Sequence, residues 1–324
     1  MDSDHQLLNS TSPNHSLGLI QRLWARAPLA WFLLGAFWFV YLQVFILPFV
    51  PISFWADQST YLLNARRMLD GQVIYRDFFQ FTPPGTESVY FGLFRLFGPR
   101  SWIPDGMLLL LGVSLVGLIT MISEKLINGA SCFLPGLLFL VIPFQSLLDG
   151  THHWYSTVAV MAALAVVIEN RSVFRLAAAG TLCGLATCFT QSRGLVAVLG
   201  LAVFLLWERP RKGDTWRSLC RSESSLFVTF LASVVAFNAY FVGKAGLQRF
   251  LDCTIVFGVK YYPASGLTPG GSTWRTRPPY IPYPPYFNCQ DSCSSMPSFR
   301  WSMCCFSRAT GARGGRNPKD LGTS

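Results

Sequence analysis

Long runs without charge constrain this chain more than any other feature of its sequence. No charge stands between Ala27 and Ala56, and the apolar run 28–50 exceeds the about 20 residues with which a helix crosses a bilayer. Further apolar runs span residues 103–122, 131–148, 154–168, 176–190, 195–207 and 226–242. With 51% hydrophobic and only 13% charged residues, the composition favours a membrane protein over a soluble one. The sequence therefore predicts an all-α polytopic membrane protein, with about seven transmembrane helices in a domain of residues 28–267.

The stretch 176–207 carries a single charge, Arg193, and could form one long helix or two short ones joined at residues 191–194. Charge parity favours two helices, because the basic groups between spans then share one side, which the positive-inside bias makes the cytoplasm. These groups are Arg22 and Arg26, Lys125, Arg171 and Arg175, and the cluster Arg209, Arg211, Lys212, Arg217 and Arg221. The net charge of +10 is thus interpreted as topology rather than nucleic-acid binding, and residues 1–27 are predicted to be cytoplasmic.

The same topology makes residues 57–100 the longest external loop, and its pattern predicts ordered structure. Apolar residues recur at helical spacing between Asp57 and Gly71, where glycine is a natural helix stop. Tyr61, Leu62, Ala65, Met68 and Leu69 form the apolar side, and Asn64, Arg66, Arg67 and Asp70 form the polar side. A second amphipathic segment follows at residues 85–97. Helices of this kind lie in the membrane interface, so the loop is predicted to rest against the outer membrane surface.

Several short motifs in this loop resemble those of a known enzyme family. In order they are Asp57-Gln58, Tyr61, Ala65, Leu69-x-Gly71, Tyr75-Arg76-Asp77-Phe78-Phe79, Pro83-Pro84-Gly85 and Leu96-Phe97-Gly98. Together they resemble the first external loop of the GT-C membrane glycosyltransferases, most closely the branch of protein O-mannosyltransferases, the lipid A aminoarabinose transferase and the bacterial Rgt-like enzymes. The resemblance is strongest over residues 54–98 and rests on the span pattern alone to about residue 262.

The resemblance implies a GT-C fold and an inverting sugar transfer. The donor would be a polyprenyl-phosphate sugar and the acceptor a hydroxyl on a lipid, glycan or protein, at the outer face of the plasma membrane if the source is bacterial. No cofactor beyond the lipid-linked donor and no nucleic-acid partner is expected.

Asp57 corresponds to the acid that the resemblance makes the catalytic base. A carboxylate within about 3 Å of an acceptor hydroxyl can take its proton as the anomeric carbon is attacked. Capping of the helix that follows is the alternative role, and the two roles are compatible. Many relatives carry a second acid next, where this chain has Gln58. One carboxylate beside an amide is a poor ligand set for a hard divalent cation, so no metal site is predicted.

The leaving polyprenyl phosphate needs cations or donors to meet its charge. The loop offers Arg66, Arg67 and Arg76, whose alternative roles are a headgroup-facing surface and, for Arg76, an ion pair with Asp77. His152 and His153 precede Trp154 and Tyr155, which could instead form an interfacial aromatic belt. Arg193, between two apolar runs, is a further phosphate candidate, with snorkelling as the simpler account. The predicted donor-binding residues are therefore Arg66, Arg67, Arg76, His152, His153 and Arg193.

Residues 268–324 differ in character from the rest of the chain. They contain no apolar span, and Cys289, Cys293, Cys304 and Cys305 lack zinc-finger spacing. Because members of the resembled family continue through more spans, this segment is expected to be an aberrant or disordered tail of a truncated and possibly inactive enzyme. The rival function is a transporter or flippase for a lipid-linked or small anionic solute, which would show inverted repeats and polar residues at mid-membrane.

Overall fold

The computed structural model of this protein describes residues 19–46, 50–52, 57–212 and 216–261. The described part is mostly helical, in the order α1 (Leu19–Val44), β1 (Phe45–Ile46), β2 (Val50–Pro51), α2 (Asp57–Leu69), α3 (Gly85–Phe97), α4 (Trp102–Ser123), a 3-10 turn (Gly129–Phe133), α5 (Leu134–Val141), α6 (His152–Glu169), α7 (Val173–Phe189), α8 (Gln191–Lys212), α9 (Trp216–Ala245), α10 (Leu247–Leu251) and a π-type helix (Asp252–Tyr261). The predicted tail 268–324 and its four cysteines lie outside the described residues, as does most of the predicted segment 1–27.

Four of the described helices are long and apolar enough to cross a bilayer. They are Ala27–Val44, Trp102–Ser123, Gln191–Glu208 and Trp216–Ala245, while Gly129–Val141 and Val173–Phe189 are apolar but shorter. Large apolar side chains point outward from these helices, for example Trp31, Leu110 and Leu231, as expected for a surface that faces lipid. The chain therefore has the character of an integral membrane protein, and the count of seven spans remains a prediction.

The first predicted span, 28–50, is helical only as far as Val44. Pro48 cannot donate a backbone hydrogen bond to the carbonyl of Val44, which accepts instead from the amide of Ile52 at 2.8 Å. The chain turns there into a hairpin of two-residue strands, β1 and β2, which pair antiparallel. This hairpin forms the one sheet in the described part of the chain, and an isolated β-bridge joins Ile74 and Phe78.

The apolar run 131–148 is only partly α-helical. Its regular helix, α5, has eight residues and a length of about 12 Å, and it ends two residues before Pro143. The run nevertheless follows α4 from near its end to its middle. Gly136 lies against Thr120 near the end of α4, and Phe144 lies against Gly112, further toward its start. Proline therefore shortens the helix without changing the direction of the chain.

The stretch 176–207 is two helices, as charge parity predicts. Helix α7 ends at Phe189, Thr190 has extended backbone, and α8 starts at Gln191 and returns antiparallel along α7. The turn is tight because Gly194 sits directly on the backbone of Cys183 and Thr187, where a β-carbon would collide with both. Arg193 consequently lies in the first turn of α8.

The helices arrange charged residues at two opposite ends of the bundle. Lys125, Glu169 and Arg175 form one ion-paired group, and Arg171 pairs with Glu208 at 3.0 Å. Helix α6 begins at His152 and ends at Glu169. These two positions lie about 26 Å apart along the helix, which is close to the thickness of a bilayer core.

The predicted helices of the loop 57–100 are both confirmed as α2 and α3, which pack on each other through Tyr61, Ala65, Tyr90 and Phe94. The predicted polar side of α2 is wrong for Asn64, which is 3% exposed. Asn64 lies close enough to the buried carboxyl of Glu87 on α3 to lower its pKa, although the Asn64 amide nitrogen and the second carboxyl oxygen of Glu87 have no hydrogen-bond partner among the described residues. An amphipathic pattern cannot reveal such a pair, since both residues count as polar.

Candidate functional site

The candidate site forms around the turn that precedes α6. Asp149, Gly150 and Thr151 are all buried, and the Thr151 hydroxyl donates to the Asp149 carboxylate at 3.0 Å. The indole of Trp154 donates to the carbonyl of Leu147 at 2.8 Å and so closes the turn from its other side. The turn is held rigidly, which fixes the start of α6 and the two histidines there.

The first turn of α2 lies directly on this site. The amide of Gly150 donates to the side-chain oxygen of Gln58 at 2.9 Å, and the Tyr61 hydroxyl contacts Nδ1 of His152 at 2.6 Å. Both contacts bridge about ninety residues of sequence. Asp57, the residue before Gln58, is exposed at the start of α2. The predicted base is thereby brought to the predicted histidine pair.

The charge of Asp57 acts on the pKa of both Asp149 and His153. Burial raises the pKa of the Asp149 carboxyl, and the charge of Asp57 raises it further against a hydrogen bond from Thr151. Burial and the charge of Arg193 lower the pKa of His153, and the charge of Asp57 partly offsets them. Two carboxyl groups, a histidine and an arginine thus act on one another at this end of the bundle.

Arg193 is anchored on α6 by several hydrogen bonds. One terminal nitrogen donates to the carbonyl of His153 at 2.6 Å, to the Thr157 hydroxyl at 2.8 Å and to the Ser156 hydroxyl at 3.3 Å. The other lies 3.1 Å from Nδ1 of His153. The side chain therefore does not snorkel freely, because it joins the start of α8 to the start of α6.

The two histidines are neutral near pH 7. Burial, with the neighbouring His153 and Arg193, lowers the pKa of His152 to about 3. The two imidazole rings lie 3.9 Å apart between centroids, tilted by 40°. They offer hydrogen bonds without adding positive charge.

The three loop arginines that were predicted to bind the donor lie elsewhere. Arg66 pairs with Asp70 at 3.5 Å, Arg67 lies over the ring of Phe78, and Arg76 pairs with Asp77 at 2.7 Å. Arg66 is nine residues after Asp57, which is about 13 Å along a helix. Asp57, His152, His153 and Arg193 thus lie at one site. The three loop arginines contact other partners, at the C-terminal end of α2 or after it.

Four residues at or below the site were not selected from the sequence. Asp149 could have been noticed, since it stands three residues before the histidine pair. Gln58 and Tyr61 are identified only by their long-range contacts. Glu87 is fully buried and accepts from Gln80 at 2.5 Å. Burial raises its pKa to about 7, against the lowering effect of the hydrogen bond from Gln80. No local pattern predicts a buried acid inside an amphipathic helix.

The arrangement suits proton abstraction beside an anion. Asp57 is an exposed carboxylate, and neutral imidazoles with a fixed guanidinium supply donors next to it. Among the described residues, no group of three His, Cys, Asp or Glu side chains is placed to hold a metal ion. No protein-family model, curated protein or solved structure matches this chain.

Proposed function

We propose that this protein is a membrane glycosyltransferase that transfers a sugar from a polyprenyl-phosphate donor to an acceptor hydroxyl. The observation that carries the proposal is the assembly of Asp57, His152, His153 and Arg193 from three separate elements at one end of an apolar bundle. A donor with a long isoprenoid chain lies in the membrane, so its phosphate reaches the reaction from the end of such a bundle. The loop motifs from Asp57 to Gly98, which resemble those of GT-C enzymes, support the same function.

In the proposed mechanism Asp57 is the general base. Its carboxylate takes the proton of the acceptor hydroxyl as the oxygen attacks the anomeric carbon, and the phosphate leaves from the opposite face with inversion. The exposed position of Asp57 leaves room for an acceptor. Asp149 stays in the buried turn, where its carboxylate accepts from the Thr151 hydroxyl.

The departing phosphate would be met by the donors on the opposite side of the site. Arg193 supplies the fixed positive charge and the imidazoles supply neutral N–H groups, which stabilise charge as it develops on phosphate oxygens. Arg66, Arg67 and Arg76 would act at the membrane surface or on more distant parts of the donor. In this proposal the chain has the seven-span GT-C arrangement, and residues 57–100 face the outside of the cell.

The deciding experiment compares Asp57→Asn with the wild type in membranes supplied with a labelled polyprenyl-phosphate sugar. Asparagine keeps the size of the side chain and is an equally good N-cap, so a capping role would survive the substitution. Loss of a general base lowers the rate roughly 10²- to 10⁴-fold. Asp70→Asn is the matched control, because Asp70 is the exposed acid just past the other end of α2 and pairs only with Arg66 among the described contacts. Equal transfer by Asp57→Asn and wild type would refute the assignment of the base.

A further inference from the structure

The contact between Arg193 and His153 determines which ring nitrogen of the imidazole carries the proton, as well as where the ring lies. A guanidinium has only N–H donors and keeps its charge at any physiological pH. Its terminal nitrogen lies 3.1 Å from Nδ1 of His153, so this ring nitrogen must accept the hydrogen bond. An imidazole that accepts at Nδ1 carries its proton on Nε2 if it is neutral.

The surroundings of His153 favour the neutral form. The ring is half-buried, and the positive charge of Arg193 lies against it. A protonated Nδ1–H would point at an N–H donor of the same guanidinium, so the contact would be lost on protonation. Asp57 is the one acid whose charge favours protonation of His153, and burial with Arg193 outweighs it.

We propose that Arg193 is a positioning residue that holds His153 in the Nε2–H tautomer, so that this imidazole donates a hydrogen bond to a phosphate oxygen of the lipid-linked donor. The identity of the ligand rests on the proposed function, whereas the tautomer rests only on the contact with Arg193. This role is additional to the fixed positive charge of Arg193, since one terminal nitrogen shares its two N–H groups among three acceptors on α6 and the other contacts His153.

His152 provides a comparison within the same turn of α6. Its Nδ1 lies 2.6 Å from the Tyr61 hydroxyl, which can donate or accept. That contact alone does not select a tautomer, so the strict requirement applies to His153. A hydrogen bond from a charged donor changes an equilibrium constant roughly 10- to 100-fold, enough for Arg193 to dominate the tautomer of its neighbour.

Nitrogen-15 NMR of labelled histidine tests the tautomer directly. The chain has four histidines, and replacing His5 and His15 by Gln leaves only the pair at 152 and 153 in the full-length protein. A further His152→Gln chain assigns the signals. In lipid nanodiscs at about pH 8, where a histidine of lowered pKa is neutral, we expect His153 to have protonated Nε2 and unprotonated Nδ1. A predominant Nδ1–H form in the wild type would overturn the proposal.

Substitution of Arg193 tests whether this residue is the cause of the Nε2–H tautomer of His153. We expect Arg193→Met to give a mixture of both tautomers at His153, and an unchanged Nε2–H form there would overturn the positioning role. Arg175→Met is the control, because Arg175 lies at the opposite end of α7 and pairs with Glu169. Thr157→Val removes a different partner of Arg193, so its His153 should keep the Nε2–H form; a mixture there would count against Nδ1 as the decisive contact.

The predicted hydrogen bond to phosphate is tested by a pair of isosteres. The amide nitrogen of glutamine occupies roughly the position of Nε2, and that of asparagine the position of Nδ1. We expect His153→Asn to raise KM for the lipid-linked donor roughly 10- to 100-fold and His153→Gln to stay closer to wild type. Equal KM values in all three would overturn the phosphate contact. If wild-type membranes transferred no sugar from the labelled donor while His153 kept its Nε2–H form, the proposed function would fail and the tautomer assignment would stand.

Discussion

At the scale of single residues, Gln58 has a structural role where relatives of the resembled family carry a second acid. Its side-chain oxygen accepts from the buried amide of Gly150 and joins α2 to the turn that holds Asp149. We expect Gln58→Leu to destabilise the protein by about 1–3 kcal/mol, since it leaves a buried amide without a partner. Thermal unfolding in detergent measures the effect. Ser59→Ala, at the next and exposed position, should leave the midpoint unchanged, and equal behaviour of the two variants would contradict this role.

Glu87 makes stability depend on pH. Its pKa is about 7 in the folded protein, raised by burial, against an ordinary value of 4.5. Because the folded state holds the proton more tightly, its stabilisation is fully present below about pH 4.5 and is lost as the pH rises through about 7. A difference of this size corresponds to about 3 kcal/mol.

The prediction is checked by unfolding midpoints measured from about pH 5 to pH 8. We expect the wild-type midpoint to fall over this range by more than that of Glu87→Gln, in which position 87 cannot ionise. The comparison uses the slope with pH, so a constant loss of stability in the variant does not affect it. Parallel slopes would show that Glu87 does not titrate in this window.

At the scale of elements, the turn between α7 and α8 depends on Gly194. A β-carbon there would collide with the backbone of Cys183 and Thr187, whereas a β-carbon at Gly200, two turns further along α8, would meet nothing. We expect Gly194→Ala to destabilise the protein by about 1–3 kcal/mol through overpacking, and Gly200→Ala to be neutral or slightly stabilising. Unfolding midpoints of the two variants compare the same substitution on the same helix. A harmless Gly194→Ala would mean that the two helices can separate.

The sequence predicts these helices well where their number or position follows from the spacing of apolar residues or from the placement of charged residues. The division of residues 176–207 into two helices follows from charge parity, and α2 and α3 follow from apolar spacing. The position of the break was wrong, because it lies at Thr190 and the predicted joint 191–194 is the first turn of α8. The end of α1 at Val44 and the shortening of α5 were missed, because the apolar runs continue through Pro48 and Pro143 while the hydrogen-bond ladder does not.

The site shows the same limit. The loop motifs select Asp57, and His152, His153 and Arg193 stand out as polar groups beside apolar runs. The contacts that join them bridge from about forty to about ninety residues, and no local pattern reports on such distances. For the same reason the buried partners Gln58, Asn64 and Glu87 were not recognised as a group.

At the scale of the whole molecule, the two ends of the bundle differ in chemistry. One end combines Asp57, Asp149, two neutral histidines and Arg193, and the other carries exposed ion pairs around Glu169 and the Arg171–Glu208 pair. Exposed ion pairs contribute little to stability. The pairs around Glu169 are therefore more informative about the orientation in the membrane than about stability. From the positive-inside bias we expect this end to face the cytoplasm and the candidate site to face outward.

The number of membrane spans between the loop at the candidate site and the start of α9 determines whether these two parts of the chain face the same side of the membrane. With seven spans, five of them lie between residue 72 and Cys220, so these positions face opposite sides of the membrane. If only the four longest helices cross, two lie between them and both positions face the same side. Gln72 and Cys220 are exposed, and Cys220 is a natural reporter at the start of α9.

Chains with a single cysteine, at Cys220 or introduced as Gln72→Cys, can be treated in intact cells with a maleimide that does not cross membranes. We expect labelling at position 72 only, and labelling of both after permeabilisation. Labelling of both in intact cells would exclude the seven-span arrangement, and labelling of Cys220 alone would reverse the orientation and put the candidate site inside the cell.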